Sequence, residues 1–349
     1  MSKIKILFNA NCSADTIQAQ DRDMIHWALA LNPNMFQITM YSIGKPDERL
    51  LQRSNIIIHY FYPTKNIFYK ALNIFKELKL FISNNSDYIL FGKAISHELF
   101  YIKYKKYNIF DRKKTLFYIA NLFPYEDVEM SNLIINQTDK QFAISKKIQE
   151  QVSIHYGKKI PIVHLCYDTN KFTPRNINNT RKKIVCVGSL QFRKQPLLFA
   201  NIAKTFPQYD FIWIGDGFLR GLVYDKVKSE YILNYTHFKK MLQAEIANFL
   251  PTCDLFLFTS IYEGFPNAIL EAMACGLPVI AFSSYGPEAI INNETGFIVN
   301  NELEMIDKLD YLLKDEEVLS KFKERSRLRS LDFDLSNVIL EFEQFLQSP

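Results

Sequence analysis

The densest concentration of residues able to do chemistry is Tyr262-Glu263-Gly264-Phe265-Pro266-Asn267-Ala268-Ile269-Leu270-Glu271-Ala272-Met273-Ala274-Cys275-Gly276-Leu277-Pro278. Pro266 suits a first helical turn, Gly276 the position just past a helix, and Pro278 prevents continuation, so the spacing predicts a helix of about nine residues between two strands. The N-terminus of such a helix offers unpaired backbone N–H groups and the positive end of the helix dipole, a ready site for phosphate. Glu263 lies in the loop before this helix and Glu271 inside it. Helical side chains lean back toward the N-terminus, so the two carboxylates converge on whatever is held there. Carboxylates repel bare phosphate but accept hydrogen bonds from hydroxyls. A nucleotide-sugar meets both demands, its diphosphate at the helix end and its ribose and sugar on the acids. On charge pattern alone, a solvated Glu263 and a helix-surface Glu271 form the competing reading.

A second group of residues is Val187-Gly188-Ser189-Leu190-Gln191-Phe192-Arg193-Lys194-Gln195-Pro196, a strand end followed by a flexible loop and two adjacent cations. Lys194 or Arg193 could neutralise charge developing on a departing diphosphate. Taken alone, the pair is more often solvated. Gly215-Asp216-Gly217 is a third piece and a common turn composition.

These residues need elements to hold them. From Arg181 onward, apolar runs at Ile184–Gly188, Phe211–Gly215, Leu255–Thr259 and Val279–Phe282 alternate with stretches long enough for helices. The alternation predicts a parallel sheet whose ligand loops lie beyond the carboxyl ends of the strands. The first half repeats the pattern less regularly, with candidate strands Ile4–Phe8, Gln37–Tyr41, Asn55–Phe61, Tyr88–Phe91, Thr115–Ala120, Gln141–Ile144 and Ile160–His164. A polar stretch from Tyr167 to Thr180, with Pro174 and four asparagines, reads as the linker, and the domain boundary is placed near residue 175. Between Phe333 and Leu346, apolar residues at Leu335, Val338, Ile339, Phe342, Phe345 and Leu346 have helical spacing.

Composition narrows the class. A chain of 349 residues, 48% hydrophobic, is long enough for about two packed domains. Five scattered cysteines without a Cys-x-x-Cys pair favour neither a zinc site nor a disulfide framework, and fit a reducing cytosol. The start shows no secretion signal, and Met24 to Gly44, free of Asp, Glu, Lys and Arg, is interrupted by Asn32, Pro33, Asn34 and Gln37 and would span a bilayer poorly. Residues 1–180 carry 24 Lys/Arg against 15 Asp/Glu, whereas 181–349 carry 18 against 22. A uniformly basic nucleic-acid binder does not divide in this way, and no nucleic-acid partner is expected.

With these motifs in place, the C-terminal half resembles the nucleotide-sugar domain of family-4 glycosyltransferases, retaining enzymes of the GT-B fold. The resemblance covers roughly Gln141 to Pro349 and includes Glu263 and Glu271 with seven residues between them, the strand-loop segment ending at Lys194, and the triplet 215–217. It extends to Ala143-Ile144-Ser145, Asp168 and Phe172-Thr173-Pro174. It implies an α/β fold of two Rossmann-like domains facing a central cleft: an acceptor-binding domain at 1–175, a nucleotide-sugar domain at 176–332, and a helix at 333–349 packing back on the first. It further implies that Glu271 binds the ribose hydroxyls, Glu263 contacts the donor sugar, and Lys194, with Arg193, carries the diphosphate. Gly188, Ser189, Gly215 and the backbone of Gly264, Phe265, Pro266 and Asn267 would line the donor, and Tyr235, Thr236 and His237 the nucleobase pocket. In this family the leaving diphosphate itself is usually taken to help deprotonate the acceptor. This chain departs from the family at Ser189, where many members have arginine, at Asn9 to Asp15, where many have a glycine pair, and at Asn121, where histidine is frequent.

The expected activity is transfer of a hexose or N-acetylhexosamine from a nucleotide-diphosphate sugar, uridine favoured over guanosine, to a glycan or lipid-linked glycan in bacterial cell-surface polysaccharide synthesis. No cofactor or metal is expected: Asp21-Arg22-Asp23 matches an Asp-x-Asp metal pair formally, but precedes Met24, Ile25, Trp27 and Leu29 in a helix whose start favours acids. From Ile95 to Lys114, Lys103, Lys105, Lys106, Arg112, Lys113 and Lys114 interleave with Phe100, Tyr101, Tyr104, Tyr107 and Phe110, a composition suited to an anionic membrane surface and equally to a solvated helix. The place of work is then the cytoplasm, including the inner face of the cytoplasmic membrane. The rivals are a non-catalytic nucleotide- or glycan-binding protein of the same fold and a sugar-nucleotide epimerase.

Overall fold

The computed structural model describes residues 2–14, 18–63, 66–92, 96–105, 107–108, 111–120 and 128–348. The chain divides into two units, Met1–Cys166 with Val338–Pro349, and Tyr167–Asn337.

The first unit is built on β1 (Ile4–Asn11), β2 (Phe36–Ser42), β3 (Ile56–Tyr60), β4 (Tyr88–Phe91), β5 (Lys114–Ile119) and β6 (Lys140–Ala143), all parallel in the order β3-β2-β1-β4-β5-β6. Central strands such as Ile6-Leu7-Phe8 and Ile89-Leu90-Phe91 are buried, as strands covered on both faces by crossover helices must be. The final helix, Leu335–Gln347, buries Val338, Ile339, Phe342, Phe345 and Leu346, and from residue 338 it belongs to this unit. The Phe342 ring lies 5.0 Å from Trp27 and 5.7 Å from Phe142, with Phe345 4.9 Å from Phe142. A late segment thus completes the core of an early one.

The second unit carries β7 (Lys183–Val187), β8 (Asp210–Ile214), β9 (Tyr235–Phe238), β10 (Leu255–Phe258), β11 (Val279–Phe282) and β12 (Gly296–Val299), parallel in the order β12-β11-β10-β7-β8-β9. Sequence order reverses between β7 and β10. That switch point is where an open α/β sheet holds its ligand, and the loops leaving these two strands are the ones that carry Lys194 and Glu263.

Some sequence expectations need correction. Ile160–His164 forms no named strand, only a single bridge from Ile162 to Ala143. β9 and β12, whose composition is half-polar or glycine-led, are strands that apolar runs did not mark. The stretch 167–180 is not a loose linker at its start. Tyr167 N–H donates to the Phe333 carbonyl (2.9 Å), Leu335 N–H donates to the Tyr167 carbonyl (3.0 Å), and Thr169 Oγ1 donates to Asp334 Oδ2 (2.6 Å), so the second unit begins at Tyr167. The five cysteines are all free and buried. Among the described residues, no helix is long and apolar enough to cross a membrane.

Candidate functional site

The helix expected after Pro266 is Asn267–Ala274, with Pro266 as its extended N-cap. Gly276 follows in the left-handed region (φ 78°), the conformation glycine adopts most cheaply past a helix end. Arg327 fixes the helix's other end: its guanidinium donates to the carbonyls of Ala274 (2.9 Å), Phe172 (3.1 Å) and Thr169 (3.2 Å), a cation at the negative end of the dipole.

Lys194 and Glu263 meet at the switch point. Lys194 Nζ lies 2.6 Å from Glu263 Oε1, and both side chains are buried. Arg193, from the same short 3-10 turn Phe192–Lys194, donates to Glu263 Oε1 (2.6 Å) and to the Tyr262 carbonyl (3.0 Å). Ser260 Oγ adds a third donor to the same oxygen (2.5 Å). The lysine ammonium also sits 4.6 Å from the Phe258 ring centroid, a cation–π contact. Backbone bonds tie the two loops together: Ile261 N–H donates to the Arg193 carbonyl (2.9 Å) and Thr259 Oγ1 to the Lys194 carbonyl (2.7 Å).

The electrostatics follow from this packing. Burial raises the Glu263 carboxyl, but attraction to Lys194 and Arg193 and the bonds from Lys194 and Ser260 outweigh it, holding it below the ordinary carboxylate value. Burial also lowers the Lys194 ammonium below its ordinary value, and Glu263 opposes that effect. Each ion is therefore the main reason the other stays charged.

Three neighbouring strand ends are tied together by hydrogen bonds, with Gly188 beside Lys194. Gly188 N–H donates to the Ile214 carbonyl (2.9 Å), Trp213 Nε1 donates to the Gly188 carbonyl (2.9 Å), and Gly215 N–H donates to the Phe238 carbonyl (2.9 Å). Gly215 has φ 135°, and a Cβ there would stand 2.2 Å from the Gly188 carbonyl oxygen, so the approach requires glycine. At Gly188, a Cβ would lie 3.5 Å from the Lys194 stem, which shows how closely the lysine runs beside that loop. His237 Nε2 is 2.8 Å from the Gly215 carbonyl, Tyr235 and Thr236 precede it on β9, and Ser189 is half-buried between Gly188 and Leu190.

Glu271 is 3% exposed, and the Tyr167 hydroxyl donates to its Oε1 (3.0 Å), with Gln243 Nε2 3.4 Å from that hydroxyl. It is not the helix-surface acid of the competing reading. Gly264 and Phe265 are buried, and the Phe265 ring packs 5.4 Å from Phe333. The structure thus joins Arg193, Lys194 and Glu263 directly, sets Gly188, Gly215 and His237 in one bonded row, and holds Glu271 apart from that ion pair on Tyr167. Sequence reading missed Tyr167, Phe258 and Arg327. Tyr167 stood beside Asp168 in a stretch whose asparagines and proline read as linker; no local signal marked the others. A cavity of about 610 Å³ borders Phe192 and Ile261 and is otherwise lined by residues such as Leu198, Ser283 and Asn300. None of the expected donor residues lines it, so the donor reading rests on the ion pair and the helix.

On the acceptor side, β1 runs through Asn9 and Ala10 to Asn11, and the Asn9 amide donates to the buried Glu98 carboxylate. Asp21 lies in the first turn of helix Ala19–Ala30 and accepts from Asn11 N–H (3.1 Å). Asp15, Ile95, Lys106, Phe110 and Asn121 fall outside the described residues.

Two parallel six-stranded units of this topology define the GT-B class. HepE of Anabaena, solved in complex with UDP-glucose, has this fold at TM-score 0.79 and 16% identity, covering 99% of this chain and 100% of that one. The lipopolysaccharide outer core galactosyltransferase WaaB shares it at TM-score 0.72 and 15% identity, covering 99% of each. Residues 168–329 match the family described as glycosyl transferases group 1. The UDP-Gal:alpha-D-GlcNAc-diphosphoundecaprenol alpha-1,3-galactosyltransferase of Escherichia coli is 28% identical over 218 residues, 56% of this chain and 54% of that protein. The N-acetylgalactosamine-N,N'-diacetylbacillosaminyl-diphospho-undecaprenol 4-alpha-N-acetylgalactosaminyltransferase of Campylobacter jejuni is 24% identical over 276 residues, 75% of this chain and 70% of that protein. The match to the Escherichia coli enzyme therefore spans about half its length.

Proposed function

We propose that this protein is a retaining glycosyltransferase that moves a hexose or N-acetylhexosamine from a UDP-sugar to a glycan or lipid-linked glycan during cell-surface polysaccharide synthesis, without a metal. The observation that carries the reading is the buried Lys194–Glu263 pair at the switch point, beside the N-terminal end of Asn267–Ala274. A buried ammonium held charged by a neighbouring carboxylate is placed to meet diphosphate charge as it grows in the transition state. Arg193, more exposed, is the second cation and stands in for the family's arginine at Ser189.

In this mechanism Glu263, fixed by three donors, positions the donor sugar through its second oxygen, while Glu271, oriented by Tyr167, accepts from the ribose hydroxyls. The helix N–H groups and the backbone from Gly264 to Asn267 take the phosphate and sugar edges. Catalysis is then positioning plus charge stabilisation, with the leaving diphosphate taking the acceptor proton. The printed names of the relatives support a lipid-diphosphate glycan acceptor and a UDP donor, and the basic segment 95–114 supports work at the inner face of the cytoplasmic membrane.

The test is release of nucleoside diphosphate from a panel of UDP- and GDP-sugars, followed by mass spectrometry of a lipid-linked acceptor pool. UDP release that depends on acceptor, lost in Glu263→Ala, is expected. Donor binding without release from any sugar would replace the proposal with the non-catalytic reading.

A further inference from the structure

The helix Ile67–Ser83 in the first unit is polarised the wrong way round for a water-facing surface. Its buried stripe is Asn73, Glu77, Leu80 and Phe81, spaced four, three and one apart, so that two of the four inward residues are polar. Glu77 is held there by His97 (2.9 Å) and Asn73 by the backbone of Tyr62 (2.8 and 2.9 Å). The outward face carries Ile67 at 85% exposure, Phe68 at 65% and Phe75 at 70%, with Ile74 and Ile82 also exposed. A helix apolar on its solvent side is expected to meet a second apolar phase.

The charges around that face have one sign. Lys70 and Lys79 are exposed on the same helix, and its one acid, Glu77, is turned inward. The neighbouring helix Ser96–Lys105 packs alongside through Tyr101 against Phe81 (5.4 Å) and His97 against Glu77. It adds exposed Phe100, Lys103 and Tyr104, followed by exposed Tyr107, and its own acid, Glu98, is buried. Apolar side chains with a rim of lysines and aromatic-hydroxyl groups match the boundary between acyl chains and anionic headgroups. A second copy of the chain fits less well, because face-to-face contact would set Lys70 and Lys79 against the same lysines.

We infer that the outward face of Ile67–Ser83 inserts shallowly into an anionic lipid bilayer, with Ile67, Phe68, Phe75 and Ile82 as the apolar contacts and Lys70, Lys79 and Lys103 on the headgroups. This surface goes beyond the basic segment 95–114 by adding the exposed aliphatic and aromatic side chains of a second helix, and it does not depend on the transfer reaction. Seventeen residues with four charges are too few and too polar to span a bilayer, so the helix lies in the interface plane.

The experiment is co-sedimentation of the full chain with vesicles of phosphatidylcholine alone or mixed equally with phosphatidylglycerol. Binding is expected to the mixed vesicles, falling roughly fivefold for each of Lys70→Ser and Lys79→Ser. Phe68→Ser with Phe75→Ser should weaken it by roughly tenfold or more while leaving the thermal midpoint unchanged, since neither ring lies in the core. Trp27 and Trp213 are both fully buried, so Phe75→Trp adds a solvent-facing reporter whose emission should shift to the blue and be quenched by brominated lipid. Undiminished binding by the double serine variant, equal binding to neutral vesicles, or a dimer that the same variant disperses would each overturn the inference.

Discussion

Replacing Glu263 by glutamine keeps the shape of the site and removes one charge, and the structure fixes what should follow. Lys194 is 8% exposed and its ammonium lies against Glu263 and the Phe258 ring. Taking away one partner of a buried ion pair costs about 3–5 kcal/mol because the other charge is left uncompensated. A glutamine oxygen can still accept a hydrogen bond from the lysine, which offsets part of the loss, so the low end, about 3 kcal/mol, is expected. For a unit of this size that is a fall in Tm of roughly 6–12 °C. The pH dependence gives a second, sign-specific check. Burial lowers Lys194 in the folded state below its ordinary value of 10.5, and loss of Glu263 lowers it further. The unfolded chain then binds the proton more tightly than the folded one, so stability of Glu263→Gln rises with pH between the depressed folded value and 10.5. Wild type shows the same rise over a narrower window, starting at higher pH. Wild type alone also loses stability on acidification, as Glu263, held below its ordinary 4.5 when folded, takes up a proton. Urea titrations of both proteins at several pH values, with donor turnover measured in parallel, test this. Equal midpoints at neutral pH together with parallel pH profiles would refute a buried, mutually charged pair.

Tyr167→Phe removes the bond that orients Glu271, and should raise the donor KM roughly ten- to a hundredfold with kcat little changed, as expected for loss of one hydrogen bond to a charged group; a fall in kcat at constant KM would assign Glu271 another role. Gly215→Ala places a methyl 2.2 Å from the Gly188 carbonyl at φ 135°, so denaturation should show a loss of roughly 2–4 kcal/mol, and a neutral result would contradict the closed row of strand ends. Phe342→Ala empties a ring from the aromatic cluster around Trp27 and should destabilise the first unit by about 3–5 kcal/mol, read from the earlier of two calorimetric transitions. Turnover in excess chelator should match that in buffer, and loss of activity restored by a divalent cation would bring a metal into the mechanism.

The legible parts of the chain were those where local rules and tertiary fold agree. Pro266, Gly276 and Pro278 bracketed a helix that the structure places at Asn267–Ala274, and apolar runs such as Val279–Phe282 became strands because a doubly covered sheet demands them. Glu263 and Lys194 could be nominated from spacing, but their contact could not, because it arises from the adjacency of β7 and β10, which lie far apart in sequence. Tyr167 was invisible for a related reason: its hydroxyl reaches Glu271 only because its backbone is pinned to Phe333 and Leu335. The outward apolar face of Ile67–Ser83 escaped because a helix rich in isoleucine and phenylalanine reads as core until burial shows which side is covered.

The discontinuity of the first unit has a consequence for the order in which the molecule matures on the ribosome. Residues 338–348 are polymerised after the whole of Tyr167–Asn337, yet they carry Phe342 and Phe345, which close over Trp27 and Phe142. The earlier-synthesised unit must wait, its aromatic core open, while the later one can finish first, reversing the usual N-terminal-first sequence of domain folding. During that interval the nascent chain presents Trp27, Phe142 and Phe8 to chaperones and proteases. Cellular yield should therefore respond to translation speed through the second unit more than through the first.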